Sequence, residues 1–234
     1  TETQHQAQQL KLAALGRLTA SIAHEVRNPL GAISHAGELL AESPQLSEQE
    51  IRLTEIIKEQ SRRVNTIIEN VLQLGRSDRV QGESIPLRAW LERHMAEYCD
   101  AAQRDEQAVE LCAGDPALCV CFDPNHLHQI VWNLCHNGLR HTRHLQHQRR
   151  MRLCYDYHGD SRAYLDIIDY GAGISEEESA HIFEPFFTTE ARGTGLGLYI
   201  SRELAHSNHA DLQYRRTREG HSRFRLLMPL ATQP

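Results

Sequence analysis

Apolar residues in the first third of the chain recur at steps of three and four, the spacing that places them on one face of an α-helix. There are two such stripes, and Gln60 is the one polar member of the second. The first comprises Leu15, Leu18, Ile22, Val26, Leu30, Ile33, Gly37 and Leu40, and the second Leu53, Ile57, Gln60, Val64, Ile67, Val71 and Leu74. Between them, Ser47 precedes Glu50 by three residues, which is the capping-box spacing of a helix start. The pattern predicts two long antiparallel helices joined by a turn.

Two antiparallel helices that each carry a single apolar stripe cannot bury both stripes within one chain. Two copies of the hairpin can bury them in the core of a four-helix bundle, so the sequence predicts a homodimer. His24 lies beside Ile22 and Val26 but off the stripe. Its ring is therefore expected to face solvent, where another domain can reach it.

The rest of the chain has a different pattern. Residues 75–84 change composition abruptly and are interpreted as a linker, beyond which short strands alternate with helices. Strands are predicted near 85–87, 109–112, 117–122, 151–157, 163–169, 211–215 and 223–228, and helices over about 90–102, 125–141 and 198–207. This order indicates an α+β sandwich, one mixed sheet with helices on one face. The predicted division is a polar N-terminal extension over 1–9, a helical domain over 10–75, a linker over 76–84 and the α/β domain over 85–234.

Composition narrows the class of protein. The chain of 234 residues has a formal net charge of −6, which gives no electrostatic reason to expect nucleic-acid binding. No apolar run approaches the roughly 20 residues of a membrane span, and no signal peptide is visible. Because the chain begins with Thr1, it is expected to be a piece of a longer protein. The six cysteines form no C-x-x-C pair, so free thiols in a reducing, cytoplasmic compartment are expected.

A possible nucleophile lies in the first helix, where Glu25 directly follows His24 and Asn28 and Pro29 come one turn later. A neutral imidazole is a good nucleophile near neutral pH, and an adjacent carboxylate can take up its ring proton. Pro29 removes a helical hydrogen bond and is expected to kink the helix just after His24. On its own, such a pair is more often ordinary solvated surface.

Two amides on a later helix are candidate phosphate and metal contacts. Asn133 and Asn137 are four residues apart, so their side chains project from one face. Mg²⁺ prefers oxygen ligands and keeps several waters when it binds substrate phosphates, so one Asn carbonyl oxygen is a suitable protein ligand. Arg140 and His141 follow, where a cation can meet phosphate. Two helical asparagines alone are more often structural.

Asp169 ends a predicted strand and is followed by Gly171, Gly173 and Ile174. A carboxylate in this position can accept a hydrogen bond from an exocyclic amine such as that of adenine. The glycines allow the backbone to turn sharply and to approach a ligand. A plain hairpin turn fits this pattern about as well.

Gly193, Gly195 and Gly197 lie at the start of a further predicted helix, where backbone N–H groups can face a phosphate. The run could pass as a dinucleotide-binding fingerprint, but no strand leads directly into it, which argues against that fold. The segment 182–189 before it is rich in Phe and is interpreted as the hydrophobic hinge of a mobile lid.

The order and spacing of these motifs resemble the two-component sensor histidine kinases over about residues 10–230. Residues 24–30 are similar to the phosphoacceptor box of that family, and 133–141 to its Asn box. The segments 169–174, 183–189 and 193–198 resemble its first Gly box, its Phe box and its second Gly box. The wording of these boxes is most similar to the nitrogen- and pilus-regulating branch.

The resemblance implies a dimeric four-helix bundle followed by a GHKL-type ATP-binding domain, in which His24 takes the γ-phosphoryl group of Mg-ATP. Glu25 would be its acid–base partner, and Asn28 would position water when the kinase dephosphorylates its response regulator. Asn137 would ligate Mg²⁺ and Asp169 would read adenine. The other implied ATP contacts are Asn133, Arg140, His141, Gly171, Gly173, Ile174, Phe186, Thr188, Thr189, Arg192, Gly193, Thr194, Gly195, Leu196, Gly197 and Leu198.

The resemblance also implies partners and a location. The phosphoryl group would pass to an aspartate of a response regulator, expected to be an enhancer-binding transcription activator. A sensor and membrane region is expected to precede this part of the protein, which would be the cytoplasmic portion of a bacterial inner-membrane protein.

Some positions depart from the family pattern. Many relatives carry Lys after the paired threonines, whereas Glu190 follows Thr189 here, and Arg192 is interpreted as the replacement cation. The last Gly box is reduced to 220–222. Gly138 replaces the usual Ala after the second Asn, which is expected to weaken the helix slightly.

Three other functions were weighed. A GHKL-type ATPase usually carries Glu one turn before the metal-binding Asn, where this chain has Asn133, and it lacks the phosphoacceptor helix. A degenerate ATP-binding scaffold is disfavoured by the intact motif residues. The histidines at 136, 141, 144 and 147 could bind a metal, but no carboxylate or Cys completes the set, so solvated surface is favoured.

Overall fold

The computed structural model describes residues 26, 28–41, 43, 46–75, 80–101, 109–142, 151–190 and 193–231, without the side chains of 62, 66, 69–75 and 101. The chain divides into two compact units, with a boundary after Asp78. The segment Thr189–Leu196 is grouped with the first unit, and the chain returns to the second at Gly197. The finer domain boundaries given above stay a prediction.

The first unit contains two helices, α1 over 28–41 and α2 over Glu48–Gly75. The capping box predicted before α2 is confirmed: the Ser47 amide and hydroxyl donate to Glu50 Oε2 at 2.8 and 2.7 Å, and the Glu50 amide donates back to Ser47 Oγ at 3.4 Å. These bonds hold the pKa of the Glu50 carboxyl below its usual value. The start of α2 is therefore fixed by its own sequence.

The two helices meet through small side chains. Gly37 of α1 is buried, and a Cβ built on it would lie 3.4 Å from Lys58 Cγ and 3.5 Å from Ile57 Cγ2. On α2, Thr54 and Ser61 are 4% and 3% exposed. Large apolar side chains of both helices are instead exposed in the single chain, namely Ile33, Leu39, Leu40, Ile51, Leu53, Ile56 and Ile57. The hairpin leaves most of its apolar stripe uncovered.

The second unit is an α/β sandwich, which confirms the predicted fold class. Its elements are β1 Glu83–Pro86, α3 Leu87–Ala101, β2 Val109–Leu111, β3 Cys119–Phe122, α4 Pro124–His141, β4 Met151–His158, β5 Arg162–Asp169, α5 Glu176–Ser179, α6 Gly197–Ser207, β6 Asp211–Arg216 and β7 Ser222–Pro229. A mixed sheet has the order β2-β4-β5-β7-β6, with β2 parallel to β4 and the other pairs antiparallel. The strands β1 and β3 form a separate antiparallel pair, which the expectation of one sheet did not include.

The core of this unit lies between the sheet and the helices α4 and α6. α4 packs on β4 and β5, and α6 packs on β6 and on α4. Alternate residues of β5 belong to this core, including Leu165 and Ile167. Between them, Asp166 accepts two hydrogen bonds of 2.7 Å from Arg225 of β7. The alternation of β5 thus holds the helices on one side of the sheet and an ion pair on the other.

The expectation that all cysteines are free is wrong for one pair, because Cys112 and Cys154 form a disulfide. Leu111 at the end of β2 pairs with Leu153 of β4, so the next residues along these parallel strands are neighbours. Spacing along the chain does not reveal such a register. Cys99 and Cys135 are buried free thiols as expected, and burial raises the pKa of Cys135.

None of the described helices combines the length and the apolar composition that a membrane crossing requires.

Candidate active site

Asp169 is the last residue of β5 and is only 5% exposed. Its Oδ1 accepts a hydrogen bond of 2.9 Å from the Gly171 amide. Burial raises the pKa of its carboxyl above the usual value, although the Gly171 amide, the His141 ring and the Ser222 hydroxyl each act to lower it. A buried carboxylate with acceptor capacity remaining can bind a ligand that donates a hydrogen bond.

The loop after Asp169 depends on two glycines. A Cβ on Gly171 would lie 2.8 Å from Asp169 Oδ1, so any side chain there would displace the carboxylate. Gly173 has φ +75°, and its Cβ would lie 2.6 Å from the Gly220 carbonyl oxygen. Both positions are therefore packed too closely against neighbouring atoms to accept any residue with a side chain.

Gly138 on α4 faces the same carboxylate. A Cβ at this position would lie 3.1 Å from Asp169 Cβ and 3.2 Å from Met151 Sδ. Gly138 is thus explained by the close approach of α4 to β5, in addition to the small helix cost that the sequence suggested. A third glycine therefore packs closely against Asp169.

The β6–β7 hairpin supports the loop that follows Asp169 through side-chain hydrogen bonds. Arg216 donates to the carbonyls of Ala172 at 2.9 Å and Gly220 at 3.1 Å. The Tyr214 hydroxyl accepts from the Ile174 amide at 2.9 Å. His221 Nδ1 lies 3.3 Å from the Gly171 carbonyl oxygen. The sequence alone did not identify Arg216, Tyr214 or His221 as residues that contact this loop. It showed only the reduced Gly box at 220–222 in the same hairpin.

The two candidate amides of α4 have different surroundings. Asn133 donates from Nδ2 to the Gly197 carbonyl and to Ser201 Oγ, both at 3.4 Å, which ties α4 to the start of α6. Asn137, one turn later, is half-buried, and its side chain makes no hydrogen bond to any residue within the described ranges. Its side-chain amide is therefore available to a ligand, whereas the Nδ2 group of Asn133 is already bonded.

The register of α4 is set by its first turn. Asp123 caps the helix, accepting from the Asn125 and His126 amides, and Pro124 occupies the first helical position. Arg140 and His141 form the basic last turn. The Cβ of His141 lies next to Gly171, and its charge bears on Asp169. The structure therefore brings Gly138, His141, Asp169 and Gly171 together.

The Phe-rich segment is anchored by alternate side chains. Ile182 is buried, and Phe183 and Phe187 pack against the core. The Arg202 guanidinium lies 4.9 Å from the centre of the Phe183 ring. Phe186 is 60% exposed and has φ 68°, which is uncommon for a residue with a side chain. The interpretation of this segment as a lid hinge stays a prediction, as do the exposed Thr188 and Thr189 as ligand contacts.

The second glycine run is described with the first unit as far as Leu196. Gly195 has φ +67°, and the Leu196 amide donates to Thr194 Oγ1 at 3.4 Å. Arg63 of α2 donates to the Gly193 carbonyl at 3.2 Å. From Gly197 the chain forms α6, and Leu198 packs against the core of the second unit. The role of this run toward phosphate is not tested by these contacts.

Some candidates lie outside the described residues, namely His24, Glu25, Arg192, His144 and His147. Asn28 is on α1 with its side chain exposed. The histidine cluster that includes His136 and His141 can therefore be assessed only in part.

The residues around Asp169 fit the adenine nucleotide and Mg²⁺ that the resemblance implies. Asp169 offers a buried acceptor bordered by glycine backbone, which suits a flat base that carries an amine. Asn137 offers an amide oxygen, a ligand type that Mg²⁺ accepts. Both groups belong to α4 and β5 of one compact unit.

Comparisons with known families give two matches. The His Kinase A (phospho-acceptor) domain matches residues 14–79. The histidine kinase-, DNA gyrase B- and HSP90-like ATPase domain matches residues 122–232. The first contains His24, and the second contains Asn137, Asp169 and the glycines discussed in this subsection, from Gly138 to Gly220.

Among curated proteins, the chain is 49% identical over 224 residues to the sensor protein kinase PilS of Pseudomonas aeruginosa. The match covers 94% of this chain and 42% of PilS, so the chain spans less than half the length of that relative.

Two solved structures have a similar fold. Full-length ShkA in complex with AMPPNP has a TM-score of 0.71 at 20% identity, covering 93% of this chain and 46% of that one. The histidine kinase ThkA in complex with the response regulator TrrA has a TM-score of 0.66 at 22% identity, covering 98% and 66%.

Proposed function

The chain belongs to the two-component sensor histidine kinases, and we propose that it phosphorylates His24 from Mg-ATP and transfers the phosphoryl group to a response regulator. The observation that carries this proposal is the buried carboxylate of Asp169, which lies among three closely packed glycines, Gly138, Gly171 and Gly173. The similarity to PilS and the match of a phospho-acceptor domain over 14–79 support the transfer to His24.

The contacts to adenine and to Mg²⁺ are assigned to residues of the second unit. Asp169 accepts a hydrogen bond from the adenine amine, and Gly171 and Gly173 shape the loop that holds its carboxylate. Mg²⁺, when bound, neutralises charge on the phosphates, and Asn137 supplies its protein ligand. The glycines from Gly193 to Gly197 contribute backbone N–H groups to the triphosphate, as the family resemblance implies.

Phosphoryl transfer is assigned to the first helix. A ring nitrogen of His24 attacks the γ-phosphorus, the bond from that phosphorus to the β,γ-bridging oxygen breaks, and ADP leaves. Glu25 takes up the proton from the other ring nitrogen. In the reverse regulatory direction, Asn28 positions a water for dephosphorylation of the response regulator. The exposed side chain of Asn28 is consistent with contact to a second protein.

The same branch of the family suggests the physiological setting. We place the chain in pilus regulation, acting on a regulator of the enhancer-binding, transcription-activating type, as the cytoplasmic part of a membrane-anchored sensor. These assignments rest on the wording of the motif boxes and on the similarity to PilS.

The dimer is proposed from the exposed stripe of α1 and α2. Seven large apolar side chains on these helices are each between 38% and 58% exposed in the single chain. A second copy would cover them in a four-helix bundle.

Incubation with γ-labelled ATP and Mg²⁺, followed by acid or alkali treatment of the protein, tests the function. Label that survives alkali and is lost in acid is expected, since a phosphoramidate is acid-labile. His24→Ala should abolish the label while nucleotide affinity stays within about twofold. His35→Ala changes an exposed histidine on α1 and should retain the label.

Three outcomes would contradict the proposal. Free phosphate released without label on the protein would indicate a GHKL-type ATPase. Bound ATP with neither product would indicate a nucleotide-binding scaffold. Label retained in His24→Ala would refute the assignment of that residue.

A further inference from the structure

Two histidines and a glutamate that the proposed function does not use come together where α3 meets α4. His94 and Glu97 are three residues apart on α3, and His128 is in the second turn of α4. One ring nitrogen from each histidine and one carboxylate oxygen of Glu97 all lie within 4.8 Å of one another. Imidazole and carboxylate are the ligands that zinc-class metals bind in proteins.

A second observation concerns His94 itself. The residue is 3% exposed, yet its Nε2 makes no hydrogen bond to any part of the chain that the structure describes. A buried polar atom without a partner costs free energy, and an ion is one of the groups that can satisfy it. Glu97 and His128 are exposed, so an ion can reach the cluster from solvent.

Two aromatic rings hold the imidazoles in place. Trp90 stacks on His94 with ring centres 4.6 Å apart, and Trp132 stacks on His128 at 5.6 Å. The two imidazoles meet edge to face at 4.5 Å. The His94 ring is thus held by Trp90 and by the His128 ring before any metal arrives.

We propose that His94, Glu97 and His128 bind a divalent transition metal of the zinc class, with water completing a four-coordinate site. Ligands at about 2.0–2.1 Å from a tetrahedral ion stand about 3.4 Å apart. The three atoms must therefore approach by up to about 1.4 Å, which the exposed Glu97 and His128 side chains can supply by rotation. The nitrogen ligands separate this site from the Mg²⁺ ligand at Asn137, which offers oxygen.

The bound metal would join α3 to the first half of α4. Asn133 and Asn137 follow His128 on that same helix. The metal therefore stabilises the helix that carries the proposed nucleotide contacts, without itself contacting nucleotide.

The chain provides its own probe of this site. It contains two tryptophans in all, and these are the residues that stack on the two histidines. Titration of the full chain with Co²⁺ should quench tryptophan emission in a saturable way, and diamagnetic Zn²⁺ should displace Co²⁺ and restore it. No ATP is present, so the result is independent of the proposed kinase activity.

Variants at the exposed ligands locate the metal. Glu97→Gln and His128→Ala should each weaken Co²⁺ binding by about tenfold or more, because even partners outside the first coordination shell are worth about 10–100-fold. His206→Ala, which changes an exposed histidine on α6, should bind as the wild type does. A chain with both His144 and His147 changed to Ala should also bind normally.

Three results would contradict the proposed metal site or its location. Absence of saturable quenching, or equal affinity in Glu97→Gln, His128→Ala and the wild type, would refute the site. Loss of binding in the variant changed at 144 and 147 would move it to that segment. Thermal unfolding gives a second test, since Zn²⁺ should raise Tm for the wild type and His206→Ala but not for His128→Ala.

Discussion

The Asp169 carboxylate is expected to strengthen ATP binding and, because it is buried, to destabilise the unliganded fold. Its carboxylate is buried, and burial raises its pKa, so the unliganded fold retains a charge in a poor environment. In Asp169→Asn, the amide oxygen can still accept from the Gly171 amide. We expect at least tenfold weaker ATP binding, because bonds to an ionised acceptor are about twice as strong, and no loss of thermal stability at pH 7. Calorimetric titration with ATP and thermal unfolding measure the two effects.

We also expect the difference in stability between the wild type and Asp169→Asn to depend on pH. The pKa of Asp169 is raised above its value of 3.8 in the unfolded chain, so between these values the folded state holds more protons. The stability of the wild type relative to Asp169→Asn must therefore fall as pH rises through that window and is largest in acid. Urea unfolding of both proteins at pH 4 and pH 7 gives the difference. A relative stability that increases with pH would contradict the raised pKa.

Gly173 can be compared with Gly159, because both have positive φ but different surroundings. Gly159 has φ +68° with nothing within 4 Å of a built Cβ, whereas at Gly173 the Cβ would meet the Gly220 carbonyl oxygen at 2.6 Å. Gly159→Ala should cost only the conformational term, about 1–2 kcal/mol. Gly173→Ala should cost more and also weaken ATP binding. Equal unfolding free energies in urea, with unchanged ATP affinity, would show that the contact at Gly173 is unimportant.

Local sequence was enough to find these residues. A carboxylate followed by two spaced glycines constrains the backbone over six residues, and the structure has the turn and close approach that such spacing indicates. Arg216 and Tyr214 were not found, because nothing near them in the sequence marks them. Their role arises only when β6 and β7 bring them to a loop some 40 residues earlier in the chain.

At the scale of elements, the β6–β7 hairpin acts as the support of the Asp169 loop. Arg216→Ala removes the donors to Ala172 and Gly220, and we expect a rise in KM for ATP of about three- to tenfold, the effect of about 1 kcal/mol. Arg215→Ala changes the exposed neighbour on the same strand and should leave KM unchanged. Equal KM values in the two variants would mean that the loop holds its shape without the hairpin. Steady-state labelling at varied ATP concentration supplies the comparison.

Helices and strands could be predicted where residues close in sequence mark them, whereas the pairing of strands could not. The capping box at Ser47 was identified from spacing, while the equivalent box at Ser175 and Glu178, which starts α5, was overlooked. The separate β1–β3 sheet and the Cys112–Cys154 bond both depend on strand register. Register is a property of the assembled sheet, so an apolar pattern in one strand cannot supply it.

At the scale of the whole molecule, the first unit is incomplete as a single chain. Its hairpin contact includes the small residues Gly37 and Thr54, and seven large apolar residues remain exposed. An ordinary helical pair instead buries most of its large apolar residues between the helices. The sequence periodicity indicated the stripes, and the structure divides them: Gly37 lies in the hairpin contact, whereas Ile33, Leu40 and Leu53 are exposed.

Leu53 offers a direct test of what covers that stripe. It is 58% exposed, so Leu53→Glu should fold normally as a monomer. In a bundle of two copies the new carboxylate would be buried without a partner, at a cost of several kcal/mol, and the dimer should weaken by about a hundredfold or more. Tyr157→Glu introduces the same charge at an exposed ring of the second unit and should stay dimeric. Sedimentation equilibrium of the three proteins decides the matter. A dimer of unchanged affinity in Leu53→Glu would mean that the copies associate through another surface and that the stripe binds a different partner.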